Sequence, residues 1–401
     1  MKISIHTMYF LPDFGSAPIL MNELASGLAA RGHEVEVVAT IPRERGDRFR
    51  RTIHSMELKD GFAVHRFRTN ANPKPFRRLM AWNAYTLWTM LHMLTFKRGQ
   101  VVFLRTPPVQ LGVMGWLAAK LKGVKVLLNV QDIHPDLSIE SGILRHEFLI
   151  RLALRFERWI YDRADRIVVI SDGFKSNLLV KGVDPSKLDV IPNWVDTDIL
   201  RPHPKDNPVA RKHGFESKFV AMYSGTISIS SNRALERVLE AAALLKDDPD
   251  ILIVLVGEGT NKPDLEARAR GLGLDNVRFL PFLPYKDLPF SLSAADVLLV
   301  PLDREKSHLS VPSKLYNFMA AGRPILGLTV EDSEVARIIR ETKCGVCAPP
   351  DDPRAIAAAL RTLKSSPDER RVQGENGRRH VVEHCAKDMI LERFEKLMAS
   401  L

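Results

Sequence analysis

The stretch "DILIVLVGEGTNK", residues 250–262, decides the architecture. Its aliphatic run from Ile251 to Val256 has no alternation, so the strand it predicts is buried on both faces, as in a parallel sheet covered by helices. Gly257 and Gly259 then turn the chain into a helical segment. A dinucleotide-binding turn would carry a third glycine where Lys262 stands. The turn after the first predicted strand, "YFLPDFGSAP" (9–18), has only Gly15, and no P-loop pattern occurs. A nicotinamide-dependent oxidoreductase is therefore disfavoured.

The same strand-then-helix rhythm runs through the chain. Strands are predicted in "KISIHTM", "HEVEVVAT", "VVFLR", "KVLLNV", "RIVVIS" and "LDVIP", then in "FVAMYSG", "DILIVLVG", "VRFLPF", "DVLLVPL" and "PILGLTV". Amphipathic segments such as 19–31 and 234–245 lie between them. The rhythm breaks once, at "NWVDTDILRPHPKDNP" (193–208), where Pro202, Pro204 and Pro208 interrupt any regular element. The fold class is thus α/β, with two doubly wound, Rossmann-like domains over residues 1–200 and 201–386, facing each other across a cleft. A closing helix at about 387–401 is placed to complete the first domain. Ligands of such sheets sit at the carboxyl ends of the strands, against helix N-termini.

Composition fits a globular protein of this kind. Of 401 residues, 45% are hydrophobic and 26% charged, and no apolar run is long enough to span a bilayer. The N-terminus begins like a strand rather than a signal peptide, so the cytoplasm is the expected compartment. A net charge of +10 suits nucleic acid, an anionic membrane surface or a phosphorylated substrate, and much of it clusters at 42–51 and 65–78. Three cysteines are too few for a disulfide framework. Cys344 and Cys347 with His380 and His384 have metal-ligand character, but the pairs are far apart and read as structural residues.

Three stretches carry candidate chemistry. In "HLSVPSKLYNFMAAGRPIL" (308–326), Ser310, Val311, Pro312 and Ser313 lead into a short helix, where the dipole favours anions, and Lys314 adds a full charge. Ser313 also suits a simple N-cap. In "NVQDIHPDLSIESG" (129–142), Asp132, His134 and Asp136 follow an apolar strand, where polar groups could bind a sugar or orient a hydroxyl. A plain Asp- and Pro-rich turn would look the same. Gly225 and Thr226 follow another strand, and Lys262 follows the 257–259 turn. Asp196 and Asp198 in "VDTD" read as helix-capping residues, and the carboxylates of 303–307 as a solvated loop. The segment 75–99, with Trp82, Tyr85, Trp88, Phe96 and basic ends, suits a membrane surface or a buried helix.

Several blocks together resemble the glycosyltransferases of family 4: "PDFGSAPILMNELASGLAARGHEVEVVAT", "VIPNWVDTDILRP", "LVGEGTNKPDLEARARGLGLDNVRFLPFLPYKDLPFSLSAADVLLVPL" and "PSKLYNFMAAGRPIL". They span nearly the whole chain in the expected order. The resemblance implies a GT-B fold, retaining transfer without a metal or other cofactor, and a nucleotide-sugar held mainly by the C-terminal domain. Its donor-binding candidates are Gly15, Gly225, Thr226, Lys262, Phe282, Leu283, Ser310, Val311, Pro312, Ser313, Lys314 and Asn317. Asp132 and His134 are the catalytic candidates. A departing diphosphate needs amides and cations, which explains Pro, Ser and Lys at one helix entrance. The sequence departs from the family pattern where Asn317 and Leu309 replace two glutamates. An Asn has one acceptor where Glu has two, which puts the usual ribose contact in doubt.

The implied function is transfer of a sugar, an N-acetylhexosamine or a deoxy relative, from a UDP-sugar. The acceptor is a lipid-linked or other saccharide in bacterial capsule, exopolysaccharide or O-antigen synthesis. The implied setting is the inner face of the cell membrane, with no nucleic acid partner. A nucleotide-sugar epimerase of the same architecture and a non-catalytic membrane scaffold are the competing readings.

Overall fold

A computed structural model describes residues 1–13, 15–42, 52–69, 75–140, 142–227, 232–304, 307 and 311–401. Ser310, Leu309 and most of the basic 42–51 stretch lie outside the described residues. The chain divides into two compact units, Met1–Pro192 with Asp388–Leu401, and Asn193–Lys387.

The first unit is built on eight strands: β1 (Lys2–His6), β2 (Glu34–Thr40), β3 (His54–Lys59), β4 (Phe62–Phe67), β5 (Val101–Thr106), β6 (Lys125–Val130), β7 (Arg166–Val169) and β8 (Leu188–Val190). Their order is β3-β4-β2-β1-β5-β6-β7-β8. All neighbours pair in parallel except β3 and β4, which form an antiparallel edge hairpin. That hairpin was not anticipated. Its signal was Asp60-Gly61: both residues have positive φ (46° and 84°), the two-residue turn geometry that matches strand twist.

The second unit has six strands, all parallel: β9 (Phe219–Ser224), β10 (Ile251–Val256), β11 (Val277–Leu280), β12 (Val297–Pro301), β13 (Ile325–Leu328) and β14 (Gly345–Ala348). The order β11-β10-β9-β12-β13-β14 reverses direction between β9 and β12. Every residue of β10 is buried, as its unbroken aliphatic run requires. One core face joins β9, β10 and β12 to the helices Asn232–Ala243 and Pro353–Ser365 through Leu235, Leu239, Leu255, Leu299 and Leu360.

The units divide at 192/193 rather than at 200/201. Val195 bridges Ala386 in parallel, and Asp196 pairs with Lys387, so residues 193–200 belong with the second unit. Asp196 also accepts the amides of Asp198 and Ile199 at 3.2 and 3.0 Å, a local cap. The final helix, Lys387–Ala399, packs within the first unit. Leu391 meets Gly27, Phe394 lies edge-on to Phe103, and Glu395 bonds His33 at 2.7 Å.

Candidate active site

In the second unit Gly225 and Lys314 meet where the strand order reverses, the place at which an open parallel sheet offers a ligand crevice. Gly225 follows β9 with φ 153°, and a Cβ there would stand 2.6 Å from the Lys314 ammonium. Gly257 follows β10 with φ 150°, and its Cβ would collide with the Gly225 carbonyl at 1.9 Å. Both positions need glycine because two loop backbones and a lysine tip share one small space. Thr226 is exposed beside them.

Lys314 opens the helix Lys314–Ala320. Its Nζ donates to the Tyr223 hydroxyl at 2.8 Å and lies 4.2 Å from the centre of that ring. Tyr223 is fully buried, and its hydroxyl donates in turn to the Thr226 carbonyl at 2.6 Å. Among the described residues no carboxylate pairs with Lys314. Its charge is held by a hydroxyl and an aromatic face, both far weaker counterparts than an anion.

Val311 is buried, whereas Pro312 and Ser313 are half-buried. Ser313 occupies the N-cap position with φ −58° but its side chain makes no capping bond. The simple-cap reading of Ser313 therefore fails. Asn317 lies one turn past Lys314, half-buried, with its amide bonded to no described residue. Lys262 starts the helix Lys262–Gly271, but its ammonium is taken by Glu258 at 2.8 Å. Phe282 is 46% exposed and so is not a core residue, and its ring edge stands 3.6 Å from where a Gly257 Cβ would be. Leu283 is half-buried beside it. The 303–307 carboxylates are not all a solvated loop: Asp303 is buried and accepts the Ala234 amide at 3.0 Å, capping a helix across the crevice.

In the first unit, Asp132 and His134 follow β6. The His134 ring stands edge-on to Trp82 at 5.7 Å, with Nδ1 3.3 Å from the Ser138 hydroxyl. Burial chiefly lowers its pKa, helped by Arg78 and opposed by Asp132 and Asp136, so the imidazole is neutral at physiological pH. Asp136 is structural: it accepts from Asn177 at 3.0 Å and pairs with Lys181 at 2.8 Å, which also reaches Glu157 at 2.7 Å. Arg105, missed in the sequence, ends β5 next to this turn. Burial brings its pKa down to about 10 against the pull of Asp132, and its Nε lacks a hydrogen-bond partner. Gly15 sits exposed at the N-cap of the helix Ser16–Ala30 with φ 123°.

A cavity of about 560 Å³ opens beside β13 and β14, lined in part by Arg304, Glu331 and Arg340, but no predicted site residue lines it.

Residues 17–194 match the family described as "Glycosyl transferase 4-like domain", and residues 208–380 match "Glycosyl transferases group 1". The chain belongs to the family 4 glycosyltransferases. It is 32% identical over 266 residues to the Pseudomonas aeruginosa protein named as glycosyltransferase WbjE, a match spanning 66% of each chain. It is 27% identical over 424 residues to the Escherichia coli K12 protein named as colanic acid biosynthesis glycosyl transferase WcaI, spanning 98% of each. The fold is shared with Anabaena HepE, solved in complex with UDP, at a TM-score of 0.76, 15% identity and full coverage of both chains.

This glycosyltransferase also carries an apolar surface in its first unit. In the helix Pro75–His92 the aromatic residues turn inward: Tyr85 is buried and Trp82 and Trp88 half-buried. The outward residues are Leu79, Met80, Leu87 and Leu91, followed by Leu94. A second helix, Glu147–Arg163, exposes Phe148, Leu149 and Leu152 beside exposed Arg151 and Arg155. The helix Leu111–Lys122 contacts both. No helix among the described residues is long and apolar enough to cross a membrane.

Proposed function

We propose that this glycosyltransferase moves a sugar, an N-acetylhexosamine or a deoxy relative, from a UDP-sugar to a lipid-linked or saccharide acceptor in bacterial surface-polysaccharide synthesis. The observation that carries this reading is the Lys314 ammonium, set beside Gly225 at the strand-order reversal with no carboxylate partner among the described residues. A departing nucleoside diphosphate supplies the missing anion. Lys314, with the 311–313 segment and the backbone at Gly225 and Thr226, meets the charge that grows as the glycosidic bond breaks. This arrangement neutralises the leaving group without a divalent metal.

Retention follows if the leaving phosphate oxygen takes the acceptor's proton on the face it departs from, which requires no protein nucleophile. Asn317 takes the ribose contact, and Phe282 and Leu283 flank the base. Gly15, Asp132 and neutral His134 contribute from the first unit, where an uncharged imidazole can exchange hydrogen bonds with sugar hydroxyls. The reading gains support from HepE, solved with UDP and with UDP-glucose, and from the naming of WcaI for colanic acid biosynthesis.

The exposed leucines and arginines of the Pro75–His92 and Glu147–Arg163 helices support docking at the inner face of the cell membrane. Sedimentation with anionic vesicles should weaken as salt rises. Equal binding to neutral vesicles would count against that setting.

Thermal unfolding with nucleoside diphosphates tests the donor assignment. UDP at a hundred times its dissociation constant should add about 2.7 kcal/mol of stability. Absence of any nucleotide response would overturn the reading. Conversion of UDP-sugars without acceptor would mark an epimerase instead.

A further inference from the structure

Four strands and one helix of the first unit bring together a set of imidazoles and a carboxylate that the transfer reaction does not use. In the parallel register Ser4 pairs with Glu36, His6 with Val38, and Val38 with His65, so all these side chains share one face of the sheet. His54 on β3 adds its ring, stacked on His65 with centroids 5.7 Å apart. The last residue of the helix Pro75–His92 completes the group: the His92 ring lies 4.7 Å from His65 and 6.3 Å from His6.

The inner members of this group are shielded from solvent. His6 is fully buried and the His92 side chain is 7% exposed, yet His6 Nδ1 and His92 Nε2 have no hydrogen-bond partner. Buried nitrogens left unpaired are costly. His92 Nε2 lies 3.5 Å from Glu36 Oε1 but without hydrogen-bond alignment. One ligand atom from each of Glu36, His65 and His92 lies within 4.8 Å of the other two. No other such group occurs among the described residues, and Cys344, Cys347, His380 and His384 do not form one.

We infer that Glu36, His65 and His92 bind a zinc ion that fastens the Pro75–His92 helix to the sheet. Two imidazoles and a carboxylate are a common donor set for zinc, and magnesium would demand oxygen ligands throughout. Zinc at bond lengths near 2.0–2.1 Å separates tetrahedral ligand atoms by roughly 3.3 Å, close to the Glu36–His92 spacing. The His65 ligand atom lies within 4.8 Å of the other two. One donor is supported in the manner of a metal site: Gln100 Nε2 donates to Glu36 Oε1 at 3.1 Å. Phe96 closes over both His6 and His92 at 5.7 and 5.8 Å. The half-exposed His65 and exposed His54 leave a path for the ion to enter.

The test uses the full chain, stripped of metal, with zinc or cobalt(II) added and no substrate present. One zinc per chain should bind saturably and raise the Tm, and cobalt should give the visible absorption of a tetrahedral nitrogen- and oxygen-ligated site. Glu36→Gln and His65→Asn should each lower zinc affinity by about 100-fold or more, the upper end of what losing even an outer partner costs. His380→Asn should leave it unchanged. His65 is half-exposed, so that variant should keep its far-ultraviolet circular dichroism. Absence of stoichiometric binding, loss of binding in His380→Asn, unchanged affinity in folded His65→Asn, or an equal response to magnesium would each overturn the inference.

Discussion

Lys314 and Lys262 both stand at helix starts beside glycine turns of the same six-stranded sheet, and they differ in what holds their charge. Lys262 is matched by Glu258 at 2.8 Å, with its side chain 13% exposed. Lys314 has only the Tyr223 hydroxyl and ring. A cation with its own carboxylate gains little from a bound anion, because the ligand must compete with a partner already paired. A cation without one is set up to take a phosphate. Position at a strand's carboxyl end does not distinguish the two lysines; the counter-ion does.

Substitutions can break that contrast. The largest effect is expected for Lys314→Ala, which should fold normally and lose about 10²-fold or more in turnover, about 2.7 kcal/mol, the scale of one preorganised charge-stabilising group. Near-normal kcat in a folded variant would make Lys314 an ordinary helix residue. Tyr223→Phe keeps the ring but frees the ammonium from its hydroxyl. A hydrogen bond to a charged group is worth about 1.5–3 kcal/mol, so steady-state kinetics should show a loss of roughly 10-fold. A loss as large as that of Lys314→Ala would mean that the hydroxyl itself touches the donor.

Asn317 sharpens the comparison one turn farther on. Asn317→Ala should raise the donor KM several-fold at nearly constant kcat, since a ribose contact serves ground and transition states alike. Asn317→Glu should preserve or improve donor binding if it restores a ribose contact; weaker binding would mean that another group holds the ribose. Lys262→Ala is expected to change kcat/KM by less than about threefold, in keeping with the 0–1 kcal/mol typical of partly exposed ion pairs. A change matching that of Lys314→Ala would show that Lys262 leaves Glu258 for the donor. The smallest effect belongs to Ser313→Ala. A capping serine would cost about 1 kcal/mol, but this side chain caps nothing, so denaturant unfolding should shift by less than about 0.5 kcal/mol.

Much of this candidate site's local framework was legible before any coordinates. The strand ends, glycine turns and helix entrance at 311–314 are local features, fixed by unbroken aliphatic runs and by backbone positions that only glycine tolerates. Tyr223 was not legible as a partner of Lys314, because the two are 91 residues apart. It read simply as the polar end of a strand. Arg105 hid in the same way, as the last charged residue of an apolar strand.

The first unit shows the same division. The 75–99 segment suited either a membrane surface or a buried helix; Tyr85 and Phe96 are buried while leucines face outward. A sequence nearly apolar all round does not encode which side meets the sheet. His6, Glu36, His65 and His92 carry no shared motif, and become neighbours only through the β1-β2-β4 register and the end of one helix.

The sequence by itself determined two parallel-sheet units, the turns at their strand ends and the family. Periodicity and turn chemistry act over a few residues and survive in any context. Tertiary structure alone decided which charges are paired and which are open, as with Lys262 and Lys314, and which imidazoles meet in one buried group. Those outcomes depend on strand order and helix packing across long separations, where burial removes water as the competing partner.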